Sequence, residues 1–276
     1  MKNRFAGVMA AAVVAAIAAW WMPVSASGQA APKAPPKAAA KSNYKAPRAE
    51  DGKSADLQGI WIVDAWNTAR YNLEAHNGST RIRPGKSYIT NPANGMIPYT
   101  PAARAKQQAN FKNRATEDTS AKCFMTGVPR FVYSGFPFQI FQTPKYIILA
   151  SEYVHMLRYV YMDRKTHYDG IDFWNGDSLG HWEGDTLVVE TANNNDMTWL
   201  DSSGNYHSDK LVVVERFTRT GLDTMQYTAT MTDPGAYTAP WTISMTLNRN
   251  TDRYPQLMEY ECHAYAEEDS GTAGGQ

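Results

Sequence analysis

The feature that most constrains the fold of this chain is a strict alternation of apolar and polar side chains in short segments. Residues 224–232 read TMQYTATMT and residues 241–247 read WTISMTL, so every second side chain is apolar. Successive side chains of a strand point to opposite faces of the sheet. The pattern therefore predicts strands with one buried face and one polar face.

Turn residues separate such segments at short intervals. Residues 183–185 (EGD) and 221–223 (GLD) each lie between two apolar runs, as in tight hairpins. Residues 151–162 alternate like one further strand, and residues 241–247 and 256–262 are expected to pair. We predict an all-β, mainly antiparallel fold that closes into a barrel of about eight strands.

One short helix and one long irregular segment interrupt this pattern near the start of the domain. Residues 67–98 are polar and rich in Gly, Asn and Pro, which predicts irregular structure. Thr100 can cap a helix that has Pro101 at its first position and alanines after it. We expect this helix over about residues 99–114.

The N-terminal residues predict export. Lys2 and Arg4 precede an apolar run, and Pro23 and small residues follow it, so residues 1–26 read as a signal peptide. An uncleaved membrane anchor is the alternative. Residues 27–54, rich in Ala, Pro and Lys, are predicted to be a disordered linker. Residues 55–266 would then form one domain, residues 267–276 a disordered tail, and the protein would be periplasmic or secreted, without a stable membrane span after cleavage.

The net charge argues against nucleic acid as a partner. The chain has 27 basic and 27 acidic residues, and loss of Lys2 and Arg4 leaves 25 against 27, a net of about −2. A nearly neutral domain of this kind has no excess of basic side chains to neutralise phosphates. We therefore expect a small molecule as the partner and predict no cofactor; the oligomeric state stays open.

Two cysteines, Cys123 and Cys262, lie far apart in the domain. In an oxidising compartment an even number of cysteines favours one disulfide. A thiolate that binds a metal or acts as a nucleophile is the alternative. Neither a CxxC spacing nor a Cys-His motif accompanies the two residues, so the disulfide is the prediction.

Several motifs resemble those of an uncharacterised family of exported bacterial proteins. They are residues 180–191 (GHWEGDTLVVET), 195–201 (NDMTWLD), 207–209 (HSD), 214–219 (VERFTR), 233–241 (DPGAYTAPW), 127–130 (GVPR) and 260–262 (YEC). The resemblance implies a shared architecture and export, and it implies no reaction. Asp177 stands where members commonly carry a histidine, and His181 where an arginine is usual. Residues 59–61 (GIW) also resemble the GxW signature of lipocalin-like barrels.

The loop at residues 192–209 carries the first candidates for acid–base chemistry. Asp196, Asp201 and His207 lie in this long connection between strands, and a carboxylate beside a histidine can act as an oriented general base. The alternative is that these side chains form hydrogen bonds with the backbone of their own loop. The same residues show no recognised metal-ligand spacing, and we predict no metal site.

Glu215 and His155 complete the set of candidate catalytic residues. Glu215 shares the apolar face of its strand, so burial would raise its pKa toward a useful range unless an arginine such as Arg158 pairs with it. His155 lies among tyrosines, where it could shuttle protons or be a half-buried structural residue.

Candidate ligand-binding residues are mostly aromatic, with one arginine that could hold an anion or pair with Glu152. They are Tyr153, Arg158, Tyr161, Trp199, Tyr227 and Trp241.

Three functions follow from these candidates. The first is an exported barrel that binds a small apolar or aromatic molecule in its interior. The second is a cofactor-free acid–base enzyme, a lyase, isomerase or hydrolase, whose catalytic side chains must converge on one pocket. The third is a structural envelope domain, which requires a filled barrel. Whether the protein is an enzyme stays open.

Overall fold

The computed structural model describes residues 43–63, 66–78 and 83–264, except for the side chains of residues 66 and 67. Strands make up most of its regular structure. In chain order they are β1 (Gly59–Val63), β2 (Ile89–Asn91), β3 (Phe138–Gln142), β4 (Tyr146–Ser151), β5 (Leu157–Tyr161), β6 (Asp177–Glu183), β7 (Thr186–Ala192), β8 (Val212–Arg219), β9 (Thr224–Thr232) and β10 (Trp241–Arg249). The helices are α1 (Trp66–Ala69), α2 (Pro101–Lys112), α3 (Arg114–Glu117) and α4 (Arg130–Tyr133).

The sheet closes on itself because β1 pairs with both β3 and β10. The strand order β1-β3-β4-β5-β6-β7-β8-β9-β10 thereby forms a nine-stranded barrel, and β2 adds to β10 as an extra strand. The predicted all-β closed barrel is confirmed. It has one strand more than the predicted eight, and β5 and β6 run parallel, joined by a long connection over residues 162–176.

Two strand predictions were wrong in detail. Residues 151–162 do not form one strand, because β4 ends at Ser151 and the chain turns before β5 begins at Leu157. Residues 256–262 form no strand and contribute one isolated bridge, between Tyr260 and Tyr153. The neighbours of β10 are instead β9, β1 and β2. Alternation is a local property and cannot reveal where a strand breaks or which partner it takes.

Side chains fill the barrel. On β8, β9 and β10 every second residue is buried, as the alternation predicts. Val213, Tyr227 and Trp241 have an exposed fraction of zero, and Phe217 is 1% exposed. An internal space large enough for water would leave part of these side chains accessible. The interior around them is therefore packed like an ordinary protein core.

The one long helix begins where the sequence predicts. Thr100 is its N-cap and accepts a hydrogen bond from the Ala103 amide at 3.2 Å, and Pro101 occupies the first helical position. Proline fits there because that position has no intrahelical partner for an N–H group. In the described part of the chain no helix has the length and apolarity needed to cross a membrane.

The described part of the chain begins inside the predicted linker. Residues 43–54 lie against the barrel: Ala46 is buried, Arg48 forms an ion pair with Asp185, and Gln142 donates to Ser54 at 2.9 Å. The predicted signal peptide, the rest of the predicted linker and the predicted tail at residues 267–276 lie outside the described residues.

The predicted disulfide is present between Cys123 and Cys262, whose Cα atoms are 5.5 Å apart. It joins the segment before α4 to the C-terminal end of the described chain, across a sequence separation of 139 residues. Closing so long a loop removes conformational entropy from the unfolded chain. The disulfide thus ties down a C-terminal segment that has no strand of its own.

Removing the disulfide should lower the free energy of unfolding by about 2–5 kcal/mol. The test is urea unfolding of the wild type, with and without reductant, beside the double variant Cys123→Ser/Cys262→Ser. Reductant should shift the wild-type midpoint to that of the double variant and leave the double variant unchanged. Equal midpoints for all samples would contradict this role.

Candidate functional site

Glu215, a predicted catalytic residue, lies inside the barrel with no exposed surface. Arg158 from β5 reaches it across the interior and forms a bidentate ion pair, with one contact, from Nη1 to Oε1, at 3.2 Å. The Tyr227 hydroxyl donates to the same carboxylate at 2.8 Å. Pairing with Arg158 was the structural alternative, and it is the arrangement observed.

The other donors of Arg158 are also satisfied. Its Nε donates to Ser178 Oγ at 3.1 Å and its Nη2 to Thr191 Oγ1 at 2.8 Å, and these two hydroxyls lie 3.0 Å apart. The cluster thus links β5 and β8 with the strands between them. Because the carboxylate is paired and closed to solvent, it holds the barrel walls together and is not placed to exchange protons with a substrate.

Asp201 is buried in the long loop between β7 and β8, where it organises the backbone. It accepts from the amides of Leu73 and Ser203, each at 2.9 Å, and from Asn205 Nδ2 at 2.7 Å. Burial raises the pKa of Asp201 to about 6, while these donors and Arg130 favour its charged form. The side chain ties the loop to the segment after α1 through its hydrogen bond with the Leu73 amide.

His207 is buried in the same loop and is neutral. Its Nδ1 lies 2.9 Å from the Ser208 carbonyl oxygen, which can only accept, so Nδ1 carries the proton. Its Nε2 then accepts from the Thr198 hydroxyl at 2.7 Å. Burial lowers the pKa of His207, and both ring nitrogens are occupied within the loop.

The remaining catalytic candidates lie elsewhere. Asp196 is exposed at the loop surface. His155 lies in the turn between β4 and β5, at a positive φ of 50°, and its Nε2 contacts Glu261 at 2.9 Å. No hydrogen bond joins any two of Asp196, Asp201, His207, His155 and Glu215. The convergence that the acid–base hypothesis requires is not observed.

The predicted ligand-binding residues divide into three groups. Tyr227 and Trp241 belong to the filled interior, and Trp199 is nearly buried in the β7–β8 loop. Tyr161 lines a groove beside β5, at whose floor the buried Arg158 also lies, and Tyr153 lines a separate cleft. Two surface depressions therefore contain predicted residues: two of the six line the groove and one lines the cleft.

The first site, the aromatic groove, lies beside β5 and the connection over residues 162–176 and has a volume of about 360 Å³. Much of its lining consists of aromatic rings that are half-buried or exposed. They belong to Tyr159, Tyr161, Tyr168, Phe173 and Trp174. Asn175 also lines the groove, and its buried Oδ1 has no hydrogen-bond partner among the described residues.

A charged cluster fixes the groove wall. Asp177 accepts from Arg164 Nη2 at 2.7 Å and from the Tyr168 amide at 3.0 Å, and the Arg164 guanidinium lies 4.1 Å from the Tyr168 ring centroid. His167 lies between Glu190, at 3.3 Å, and Asp177, at 3.1 Å. Its hydrogen bond to Glu190, together with that to Asp177, raises the pKa of His167. These contacts hold the wall in place.

The second site, the arginine cleft, has a volume of about 330 Å³ and is lined by Arg70, Arg114 and Arg130 with Tyr153, Tyr260 and several hydroxyl groups. Arg130 is buried and donates to Asp118 at 2.6 and 2.9 Å. Burial alone would raise the pKa of Asp118, but the charge and hydrogen bonds of Arg130 outweigh it and lower the pKa to about 2.

Most residues of both sites were not predicted from the sequence. Tyr168, Phe173 and Trp174 lie in a connection whose length was a usable signal, since long connections inside compact domains often carry function. Arg70 gave no local signal, because it lies in the polar segment over residues 67–98, and Arg130 stood out only as the last residue of the GVPR motif. In the part of the chain that the structure describes, no three His, Cys, Asp or Glu side chains are arranged to hold a metal ion.

Replacing one partner of the Arg158–Glu215 pair should destabilise the protein more than replacing both partners together. Glu215→Leu leaves the Arg158 charge buried without its partner and should lower the free energy of unfolding by about 3–5 kcal/mol. Arg158→Met/Glu215→Leu replaces the pair with apolar side chains and should cost less than Glu215→Leu alone, by urea unfolding. If the loss of unfolding free energy in the double variant equals the sum of the losses in Arg158→Met and Glu215→Leu, the two side chains are not coupled and the prediction is wrong.

The Arg130–Asp118 pair should make stability depend on acid pH. The pKa of Asp118 lies below its ordinary value of 3.8, so its contribution is present above pH 3.8 and is lost as pH falls toward 2. We expect the free energy of unfolding to fall by about 2 kcal/mol over this pH range because of Asp118. The measurement is urea unfolding at several pH values, for the wild type and for Asp118→Asn. An equal pH slope in the variant would show that Asp118 is not its source.

No protein-family model matches this chain, and no curated protein matches it significantly. The family resemblance of its motifs therefore stays a prediction. What can be said of its function comes from the barrel and its two surface sites.

Proposed function

We propose that the protein binds a small, largely apolar aromatic molecule in the aromatic groove, and not inside the barrel. The observation that carries this proposal is the group of aromatic rings around one depression, with Tyr159 45% and Tyr168 48% exposed. Large apolar side chains gathered at a surface mark binding sites more often than chance exposure does. Flat rings on several sides suit a flat ligand.

The packed interior supports an external site. A ligand inside the barrel would have to displace side chains such as Tyr227 and Trp241, which have no exposed surface. A filled barrel is also what a purely structural domain requires, but that function does not account for the exposed rings of the groove. None of the five acid–base candidates lines the groove, so we propose binding and not catalysis.

Polar groups at the groove indicate which kind of ligand it would prefer. Asn175 Oδ1 is an acceptor without a partner in the described chain, and the exposed Asp172 carboxylate lies at the same groove. A buried acceptor is stabilised when a donor reaches it. We therefore propose an aromatic ligand that carries an N–H or O–H group.

We also propose that the protein acts outside the cytoplasm. The disulfide between Cys123 and Cys262 supports this location, because such bonds persist in oxidising compartments and are rare in the cytosol. The predicted signal peptide at residues 1–26 agrees with it.

The groove can be tested with N-phenyl-1-naphthylamine, an aromatic amine whose fluorescence rises in apolar surroundings. We expect saturable binding to the wild type. Tyr159→Ala and Trp174→Ala should each weaken it about 2- to 12-fold, because one aromatic contact contributes about 0.5–1.5 kcal/mol.

The matched control is Tyr254→Ala, since Tyr254 is an exposed tyrosine outside the groove. It should bind the probe as the wild type does. Binding that does not saturate, or that is unchanged in Tyr159→Ala and Trp174→Ala, would rule out the groove and leave the structural function.

A further inference from the structure

The arginine cleft holds more positive than negative charge. Of its lining residues, Arg70, Arg114 and Arg130 are basic and only Asp118 is acidic. Arg130 and Asp118 neutralise each other in a buried bidentate pair. Two guanidinium groups, those of Arg70 and Arg114, are therefore left without a carboxylate in the lining.

Neither of these arginines has an ion pair elsewhere in the described chain. Arg114 Nη1 donates to the Phe111 carbonyl at 2.6 Å, which leaves its other donors available. Arg70 is half-buried, and burial, together with the nearby charge of Arg130, lowers its pKa. An arginine that stays charged in such a place is stabilised by an anion.

The backbone holds Arg70 in the cleft. Its carbonyl oxygen accepts from the Ser202 amide at 2.9 Å, which anchors the residue to the β7–β8 loop. Gly135 faces its side chain, at a positive φ of 96°, and a Cβ atom there would lie 2.7 Å from Arg70 Cδ. Only glycine both adopts this conformation readily and leaves room for the arginine stem.

Further donors and a flat wall complete the cleft. Ser120 Oγ accepts from Arg130 at 3.0 Å and keeps its own proton to donate. The buried Nε of Arg130 has no partner among the described residues. Tyr153 and Tyr260 stack with ring centroids 5.8 Å apart and line the same space.

We propose that the arginine cleft is a second binding site, which takes a small molecule through an oxyanion group, a carboxylate or a phosphate. Arg70 and Arg114 bind the oxyanion, since guanidinium groups match both geometries with paired hydrogen bonds. The Arg130–Asp118 pair and Ser202 hold the cleft in shape. No residue lines both this cleft and the aromatic groove, so the site does not depend on the function proposed above.

The test is the thermal midpoint of the intact protein in rising concentrations of inorganic phosphate or benzoate, with chloride at equal ionic strength as the reference. A ligand that binds only the folded state stabilises it by RT ln(1 + c/Kd) at ligand concentration c, so the midpoint rises with the logarithm of the ligand concentration above Kd. At least one of the two anions should raise it above the chloride reference, with a shift that follows this logarithmic dependence and gives a Kd. Benzoate alone would assign the cleft to carboxylates, and phosphate alone to phosphorylated molecules.

Arg70→Gln should weaken binding about 10-fold or more, and Arg114→Gln should weaken it independently. The matched control is Arg253→Gln, because Arg253 is exposed and does not line the cleft. Circular dichroism checks that each variant folds, and either cleft variant suffices for the decision. The proposal is overturned if neither phosphate nor benzoate raises the thermal midpoint more than chloride does. It is also overturned if Arg70→Gln and Arg114→Gln bind the anion as tightly as Arg253→Gln.

Discussion

The interior of this barrel is organised around one buried ion pair. Arg158 and Glu215 come from β5 and β8, and Tyr227, Ser178 and Thr191 supply the hydrogen bonds that surround them. A buried charge is costly unless its partner and its hydrogen bonds are all in place. This cluster requires the strands to stand in one register, since a slip of one residue would turn each side chain outward.

Because the barrel interior is packed, we place the proposed ligand binding at the surface. In a barrel of this size the inward side chains can meet in the middle, and here tyrosine, tryptophan and phenylalanine rings occupy the space around the ion pair. What remains for ligands are the surfaces built by the connections. Residues 162–176 form much of the aromatic groove, and the segment after α1 brings Arg70 to the arginine cleft.

The disulfide and the β7–β8 loop support these surfaces. The bond from Cys123 to Cys262 holds the C-terminal segment, and with it Tyr260, against the arginine cleft. Asp201 and His207 anchor the loop through hydrogen bonds to its own backbone and to Leu73. These two residues were candidate catalysts by type and by their place in a long loop, and their burial and hydrogen bonds within the loop indicate a structural role.

The sequence alone determined the β-rich class, the two hairpins with turns at residues 183–185 and 221–223, the start of α2 at Thr100 and Pro101, and the pairing of two cysteines. Each depends on neighbours in the chain: alternation sets the side-chain direction, and a cap lies beside its helix. Only the tertiary structure decided that β1 closes the barrel, that Glu215 pairs with Arg158, and that the interior is filled. Those outcomes depend on contacts between distant segments, which strand register and packing bring together and which no local pattern records.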